Sequence, residues 1–260
     1  MKKSILMLAA GALLLATPSC KKGENDPFLS LSSRKSRVAG EWDVTNWVYN
    51  SKNTESNGDY QTTTETMSGT VITTTQSSFD QSSGTTTTST STTTLNDASF
   101  TFEKDGTFSR TWNTTRVEVT TTDWFGVTVT DTETTVQTNT VTGNWSFVGK
   151  VKDEYKNKER IVMNVTSNSW TNEWTNVNTN SANSNVVTTH GDKTAGTDNY
   201  YSGEWVDIYE IDQLKGKEMI IKSMEENSGS YSVTPYGGST TTTSDDVYTS
   251  DLTITLTIVK

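Results

Sequence analysis

Residues 99–112 read SFTFEKDGTFSRTW, and this stretch carries the strongest prediction about the fold. Apolar aromatic residues alternate with polar ones on both sides of the dipeptide Asp105-Gly106. An Asp-Gly pair between two alternating runs is the strongest short-range signal of a β-hairpin, because glycine tolerates the positive φ of a tight turn. The stretch therefore predicts two antiparallel strands joined by a short turn.

Six other segments alternate in a similar way. In the clearest of them, Leu252, Ile254, Leu256 and Ile258 alternate with polar residues, three of them threonine. In the first, Trp42 and Trp47 have opposite parity, which predicts a β-bulge near Thr45 or Asn46. The eight predicted strands are residues 40–50, 98–103, 107–112, 143–149, 159–166, 204–211, 217–224 and 251–259.

The connections between these strands are alternately short and long. The long ones are threonine-rich or asparagine-rich insertions at about 51–97, 114–142, 167–203 and 225–250. Connections in an up-and-down meander alternate between the two ends of the sheet, so all four insertions are expected at one end. Pairing the first strand with the last removes both exposed edges. We therefore predict an all-β fold, an eight-stranded antiparallel up-and-down barrel with long threonine-rich β-hairpin extensions at one end.

The insertions are expected to be β-rich, since long structureless connections are uncommon in compact domains. Residues 116–122 and 127–133 predict a hairpin around Trp124-Phe125-Gly126. Residues 69–75 and 85–94 predict two extended strands around a polar turn. The insertions at 167–203 and 225–250 show no clear period.

The N-terminus has the features of a secretory signal. Lys2 and Lys3 precede an apolar run of about 12 residues, too short to span a bilayer. The small-residue cleavage region Thr17-Pro18-Ser19 follows the run and leads to Cys20. Cys20 is the only cysteine, and it stands where bacterial lipoproteins carry their lipidated cysteine. We interpret residues 1–19 as a lipoprotein signal peptide, 20–27 as a tether and 28–260 as the folded domain. The domain is expected to begin with one or two helical turns that end at Gly40.

Composition and charge exclude some classes of function. The chain has a formal net charge of −10, which disfavours binding to nucleic acid or to anionic lipid headgroups. Membrane attachment is therefore expected only through the lipid on Cys20. Disorder is disfavoured because aromatic residues make up 9% of the chain, with eight tryptophans.

The residues needed for common catalytic sites are scarce. His190 is the only histidine and lies in a polar insertion, and the only cysteine is the predicted lipid anchor. Arrangements of Ser/His/Asp or Cys/His residues therefore have almost no support. The sequence predicts a protein that is not an enzyme and that has no catalytic residues, no metal site and no cofactor.

The strand order, the Gly40-Glu41-Trp42 motif and the segments FTFEKDGTFSRTW, GNWSF, RIVMNV and YEIDQLKGKEMIIKSM resemble the lipocalin-like domain of Gram-negative envelope lipoproteins. The resemblance covers about half of the chain beyond Cys20. It implies that Gly40 and Trp42 lie at the barrel floor, where the tryptophan packs across the closed end. It also implies that apolar ligands enter from the opposite mouth.

Aromatic residues in the insertions are the candidates for ligand contact. They are Trp124, Phe125, Trp170, Trp174, Tyr231 and Tyr236. Our leading hypothesis is a lipid-anchored outer membrane lipoprotein, on the periplasmic face or the cell surface, that binds a small apolar or amphipathic ligand. The alternative is a cell-surface module that binds glycans or mediates adhesion through the threonine-rich extension, with the barrel as a stalk.

Overall fold

The structure is a computed structural model that describes residues 34–124, 127–148, 159–180, 185–189, 191–233 and 242–259. Within these residues the chain forms one short helix and twelve strands, which join in a single antiparallel sheet. The helix is α1 (Arg34–Val38). The strands are β1 (Gly40–Thr54), β2 (Tyr60–Ser68), β3 (Val71–Asp80), β4 (Thr85–Phe102), β5 (Thr107–Trp124), β6 (Val127–Val148), β7 (Glu159–Asn180), β8 (Asn185–Thr189), β9 (Lys193–Asn199), β10 (Val206–Lys215), β11 (Glu218–Val233) and β12 (Thr242–Ile258).

The sheet closes on itself in a ring. Two contacts complete it: β1 pairs with β4 through Gly40–Asp43, and β7 pairs with β10 through Val206–Ile211. The antiparallel pairings lead from β1 through β4, β5, β6, β7, β10, β11 and β12 back to β1. The predicted pairing of the first and last strands is confirmed, with Trp42 opposite Ile258. Within the ring, closure gives each of these strands a partner on both sides, so no strand edge is left unpaired there.

The predicted number of eight strands was wrong, because the insertions contain strands of their own. β2 and β3 form a hairpin between β1 and β4, and β8 and β9 both pair with β7. These segments are built mainly from threonine, serine and asparagine. Alternation of apolar with polar residues, the signal used to predict strands, is therefore weak in them.

The strands of the ring also run on into the insertions. Both predicted hairpins are present: Trp124 lies opposite Val127, and β3 pairs with the first half of β4. The two insertions without a predicted period are β-structured as well, since β7 continues to Asn180 and the β11–β12 hairpin reaches Val233. We call the described parts of residues 51–97, 114–142, 167–203 and 225–250 the extension.

One hydrophobic cluster fills the ring. Every strand of the ring contributes at least one side chain to it, and these side chains are less than a tenth exposed. The largest of them with almost no exposure are Trp42, Phe100, Phe102, Ile161, Met163, Ile211, Leu214, Met219, Ile221, Ile254 and Leu256. Burial of each such side chain contributes about 1.5–3 kcal/mol, so this cluster is the main source of stability.

Helix α1 covers one end of the ring. Val38 and Trp42 are both fully buried, and the Trp42 indole nitrogen donates a hydrogen bond of 2.8 Å to the Val38 carbonyl. Arg37 donates to the carbonyl of Leu214, and the Lys35 ammonium lies 5.7 Å from the centre of the Trp145 ring. The short connections of the ring, including Asp105-Gly106, are at this end, so the extension lies at the other.

Two local features predicted from the sequence are confirmed. Phe102 pairs with Phe108 around the turn, where Gly106 has a φ of 102° and Thr107 donates to Asp105 at 2.8 Å. The register of β1 against β12 shifts between Val44 and Asn46, which is the predicted bulge. The bulge turns Trp47 to the same face as Trp42, and Trp47 packs against the core.

Candidate functional site

The core ends towards the extension in a layer of partly buried side chains. We call it the mouth layer: Trp47, Arg110, Trp112, Tyr200, Trp205 and Asp207. Trp47 and Trp112 come from different strands, and their ring centres lie 5.0 Å apart. Tyr200 and Trp205 meet edge to face at 5.2 Å. These contacts cover the buried core, so a ligand approaching from the extension would first meet indole and phenol rings.

An ion pair crosses the mouth layer between β5 and β10. The Arg110 Nη1 atom lies 3.1 Å from the Asp207 Oδ2 atom, and the two side chains are 19% and 21% exposed. The other oxygen of Asp207 accepts a hydrogen bond of 2.9 Å from the Trp205 indole. The Arg110 guanidinium also lies 5.9 Å from the centre of the Phe100 ring. Asp207 therefore holds a cation and an indole above the core.

Tyrosine hydroxyls complete the polar boundary of the core. Burial raises the pKa of Tyr209, although the nearby Arg110 guanidinium opposes the shift. Burial also raises the pKa of Tyr49, whose hydroxyl is 2.7 Å from that of Tyr248. The Trp47 indole donates to Glu65 at 2.8 Å. The buried and half-buried polar groups of this boundary are thus largely paired with one another.

Beyond the mouth layer, one face of β7 continues the buried face of the ring. Val141 is a core residue and lies opposite Asn168 on the neighbouring strand, so both side chains lie on the same face. The register of β7 shifts between Val165 and Ser167, and from Asn168 onwards every second residue of the strand shares that inner face. We call these residues the Asn–Trp ladder: Asn168, Trp170, Asn172, Trp174, Asn176 and Asn178.

The ladder alternates amides with partly buried indoles. Trp170 and Trp174 are four residues apart, or roughly 13 Å along a strand, and Asn172 lies between them. Asn168 accepts a hydrogen bond of 2.6 Å from Asn139, and Asn178 donates one of 2.6 Å to Asp131. The Oδ1 atom of Asn172 differs, because it is buried and has no hydrogen-bond partner among the described residues. Most buried polar atoms have a hydrogen-bond partner, so the unpaired oxygen of Asn172 sets it apart from its neighbours in the ladder.

Strand β9 fixes the position of the ladder. Trp170 pairs with Gly196, and the indole lies so close to the glycine that a Cβ atom there would be 2.7 Å from it. Just before β9, a Cβ atom on Gly191 would be 1.3 Å from the Trp174 carbonyl oxygen. The Trp174 amide donates to the Asp192 carbonyl at 3.0 Å. Glycine at these two positions lets the chain approach β7 this closely.

The described part of the extension has cavities on its surface. A groove of about 450 Å³ crosses β6, β7 and β9, where Trp170 and Gly196 lie between outward-facing residues. These are Thr138, Thr140, Ser169, Thr171, Ala195 and Thr197. Another cavity, of about 420 Å³, lies at the tips of β1 to β4 and is lined by Asp59, Tyr60, Phe79 and Asp80, among others. Six of the eight residues that line the groove face outward, so the groove opens on the outer face, and Trp170 is the ladder residue that also borders it.

The structure places only some of the predicted contact residues. Trp170 and Trp174 lie together on the inner face of β7. Trp124 and Tyr231 have strand backbone opposite Val127 and Ser244, but their side chains are outside the described part of the chain. Phe125, Tyr236, Cys20 and His190 are outside the described residues altogether. The buried Trp42 and the adjacent Gly40 lie at the end covered by α1, away from the ladder.

Sequence reasoning missed the mouth layer and the role of Asn172. The parity of Arg110 with Phe108 and Trp112 was visible and indicates an inward guanidinium. Its partner Asp207 is almost a hundred residues away in sequence, so no local pattern joins them. For Asn172, the spacing Asn-x-Trp-x-Asn-x-Trp from residue 168 to residue 174 indicates that these four side chains share one face of a strand.

Within the described residues, no group of three or more His, Cys, Asp or Glu side chains could hold a metal ion. None of the described helices is long and apolar enough to cross a membrane. No protein family model matches the chain, and no curated protein matches it significantly. The function is therefore inferred from the geometry of the mouth layer and the ladder.

Proposed function

We propose that this protein is a non-enzymatic glycan-binding module of the cell envelope, with the Asn–Trp ladder as its binding surface. The observation that carries the proposal is the buried Oδ1 atom of Asn172, which has no partner and lies between Trp170 and Trp174 along one strand face. Leaving such an acceptor without a donor costs about 1–3 kcal/mol. A ligand hydroxyl would remove the penalty once the Asn172 side chain turns its oxygen towards the surface of the ladder.

The chemistry of the ladder fits a sugar chain better than a compact apolar molecule. Indole rings offer flat apolar surfaces on which the C–H faces of sugar rings can pack. Asparagine amides supply both donors and acceptors for hydroxyl groups. The roughly 13 Å between Trp170 and Trp174 is longer than one sugar ring, so the two indoles would contact different units of an extended oligosaccharide.

Isothermal titration with soluble linear oligosaccharides tests the proposal. The panel comprises cellohexaose, the hexamer of N-acetylglucosamine, its fully deacetylated form and an oligouronate. We expect at least one member to bind the mature protein, and Trp170→Ala and Trp174→Ala each to weaken binding by about tenfold or more, the range for loss of a central aromatic contact.

Thr171→Ala is the matched control, because Thr171 lies on the same strand but faces outward. This variant should bind like the wild type. Absence of binding to every oligosaccharide in the panel would reject the proposal, and so would wild-type affinity in both tryptophan variants.

We further propose that the ring is a lipocalin-like barrel that serves as a stalk, anchored to the outer membrane by lipid on Cys20. The ring-like closure, and the position of α1 at the end opposite the extension, support this arrangement. The anchor would hold the ladder away from the membrane. Metabolic labelling with an alkyne fatty acid should label the wild type and not Cys20→Ser; equal labelling would contradict the anchor.

A second candidate is a small amphipathic ligand bound at the mouth layer. The pair Trp47–Trp112 and the Arg110–Asp207 ion pair offer apolar and charged contacts side by side. The core side chains fill the ring below, so such a ligand would sit above them. Native mass spectrometry of protein purified from its host would show a bound small molecule that Trp112→Ala releases. If none copurifies, this candidate is rejected.

A further inference from the structure

We propose that the glycan bound by the ladder is cationic, a chain of amino sugars with free, protonated amines. This inference rests on the proposed glycan binding and adds the charge of the ligand. It derives from the residues that lie directly across from the ladder on the neighbouring strands.

Every charged residue in register with the ladder is a carboxylate. Asp198 on β9 lies opposite Asn168, Glu133 on β6 lies opposite Asn176, and Asp131 on β6 lies opposite Asn178. Residues directly opposite each other in an antiparallel pair share a face, so all three carboxylates lie on the inner face with the ladder. Among the described pairings, no lysine or arginine lies opposite a ladder residue.

Two described arginines, both on β5, lie on the same inner face as the ladder, and each is paired with an acid. Arg110 is bound to Asp207, and Arg116 contacts Glu118 on its own strand. The described lysines of the extension, Lys52 and Lys193, have outward parity, and Lys193 pairs with Glu173 on that side. The carboxylates beside the ladder therefore create a negative potential that a cationic ligand would neutralise.

The other groups of the ladder also suit a protonated amine. Ammonium groups donate hydrogen bonds and accept none, which matches the Asn172 carbonyl oxygen that has no partner. Indole rings attract cations placed over their faces, and Trp170 and Trp174 supply two of them. The net charge of −10 for the whole chain would favour the approach of such a ligand over an anionic one.

Isothermal titration of the mature protein with two matched hexamers tests the inference. The deacetylated glucosamine hexamer should bind at least tenfold more tightly than the N-acetylated hexamer at low salt, and its advantage should shrink as salt is raised. Equal affinity for the two hexamers would overturn the cationic preference and leave glycan binding intact. Failure of both hexamers and of all neutral and anionic glycans would overturn both proposals. Equal binding of a lysine hexapeptide would overturn the assignment to a sugar.

Charge-removing variants locate the effect. Asp198→Asn and Glu133→Gln should each weaken binding of the deacetylated hexamer about three- to tenfold, with little change for the acetylated one. Glu173→Gln is the control, because Glu173 is on the same strand but faces outward towards Lys193. If Glu173→Gln has the same effect as the other two, the interaction is a general charge effect and the inference is wrong.

Discussion

A Cβ atom on Gly196 would lie 2.7 Å from Cζ2 and 2.9 Å from Cε2 of the Trp170 indole. Trp170 therefore rests directly on the backbone of β9, and the strand pair Trp170–Gly196 holds the indole in one orientation. One of the two indoles of the proposed binding surface is therefore positioned by the absence of a side chain on its neighbour.

Gly196→Val should displace the Trp170 indole, because distances below 3 Å to ring atoms cannot be kept. We expect a changed near-ultraviolet circular dichroism spectrum and weaker oligosaccharide binding, of the same order as in Trp170→Ala. Gly216→Ala is the control, since a Cβ atom there would meet nothing within 4 Å. An unchanged spectrum in Gly196→Val would show that the indole is not held by the glycine.

Trp42→Ala should destabilise the fold far more than Trp170→Ala. Trp42 is fully buried and bonded to the Val38 carbonyl, whereas Trp170 is only partly buried. Removing a buried tryptophan typically costs about 3–5 kcal/mol. Urea unfolding followed by far-ultraviolet circular dichroism gives the free energies; equal losses in the two variants would contradict the role of Trp42 as the packed end of the ring.

Arg110 and Asp207 should show a measurable coupling energy. Their side chains are about one-fifth exposed, so solvent screens the pair only partly, and we expect about 0.5–1.5 kcal/mol. A double-mutant cycle with Arg110→Met and Asp207→Ala, read by urea unfolding, measures it. Asp207→Ala should be the more costly single change, because the Trp205 indole also loses its acceptor. Strict additivity of the two changes would contradict the prediction.

Tyr209 should make stability depend on pH in the alkaline range. Because burial raises its pKa in the folded state, the unfolded chain loses this proton at a lower pH, near the usual tyrosine value of about 10. The contribution of Tyr209 is complete below that value and is lost as pH rises through the folded pKa. The free energy of unfolding should therefore fall less steeply above about pH 9.5 in Tyr209→Phe than in the wild type.

The control for this measurement is Tyr201→Phe, since the Tyr201 side chain is 87% exposed. Its alkaline slope should match that of the wild type. A Tyr209→Phe slope that also matches the wild type would show that this hydroxyl does not titrate differently in the folded protein.

Most of the fold that sequence predicted lies where apolar side chains alternate, although the threonine-rich hairpin of β3 with β4 was predicted as well. The Phe102–Phe108 hairpin and the bulge after Val44 follow from which residues must face the core. The pairing of the first and last strands follows from the need to cover both edges of the sheet. In these segments burial of apolar area decides the register, since a slip by one residue would turn every buried side chain outward.

The parts that sequence did not predict are those where no core decides the register. β2 is rich in threonine and the second half of β7 in asparagine and threonine, and asparagine is depleted in strands generally. Hydrogen bonds to neighbouring strands and polar cross-strand contacts, such as Asn139 with Asn168, hold them instead. Such pairings join residues distant in sequence, so the meeting of Trp170 with Gly196 was not visible in any local window.

The contact between β1 and β4 is only four residue pairs long before β2 and β3 come between them. In evolutionary terms, a whole hairpin can be inserted or deleted between β1 and β4 above this contact, and the packed ring does not change. Because the side-chain period of a strand is two, such hairpins can also lengthen by two residues in each strand and keep both faces. Homologous proteins should therefore differ mostly in hairpin length and number above a ring of constant size, a variation that genome sequences can reveal.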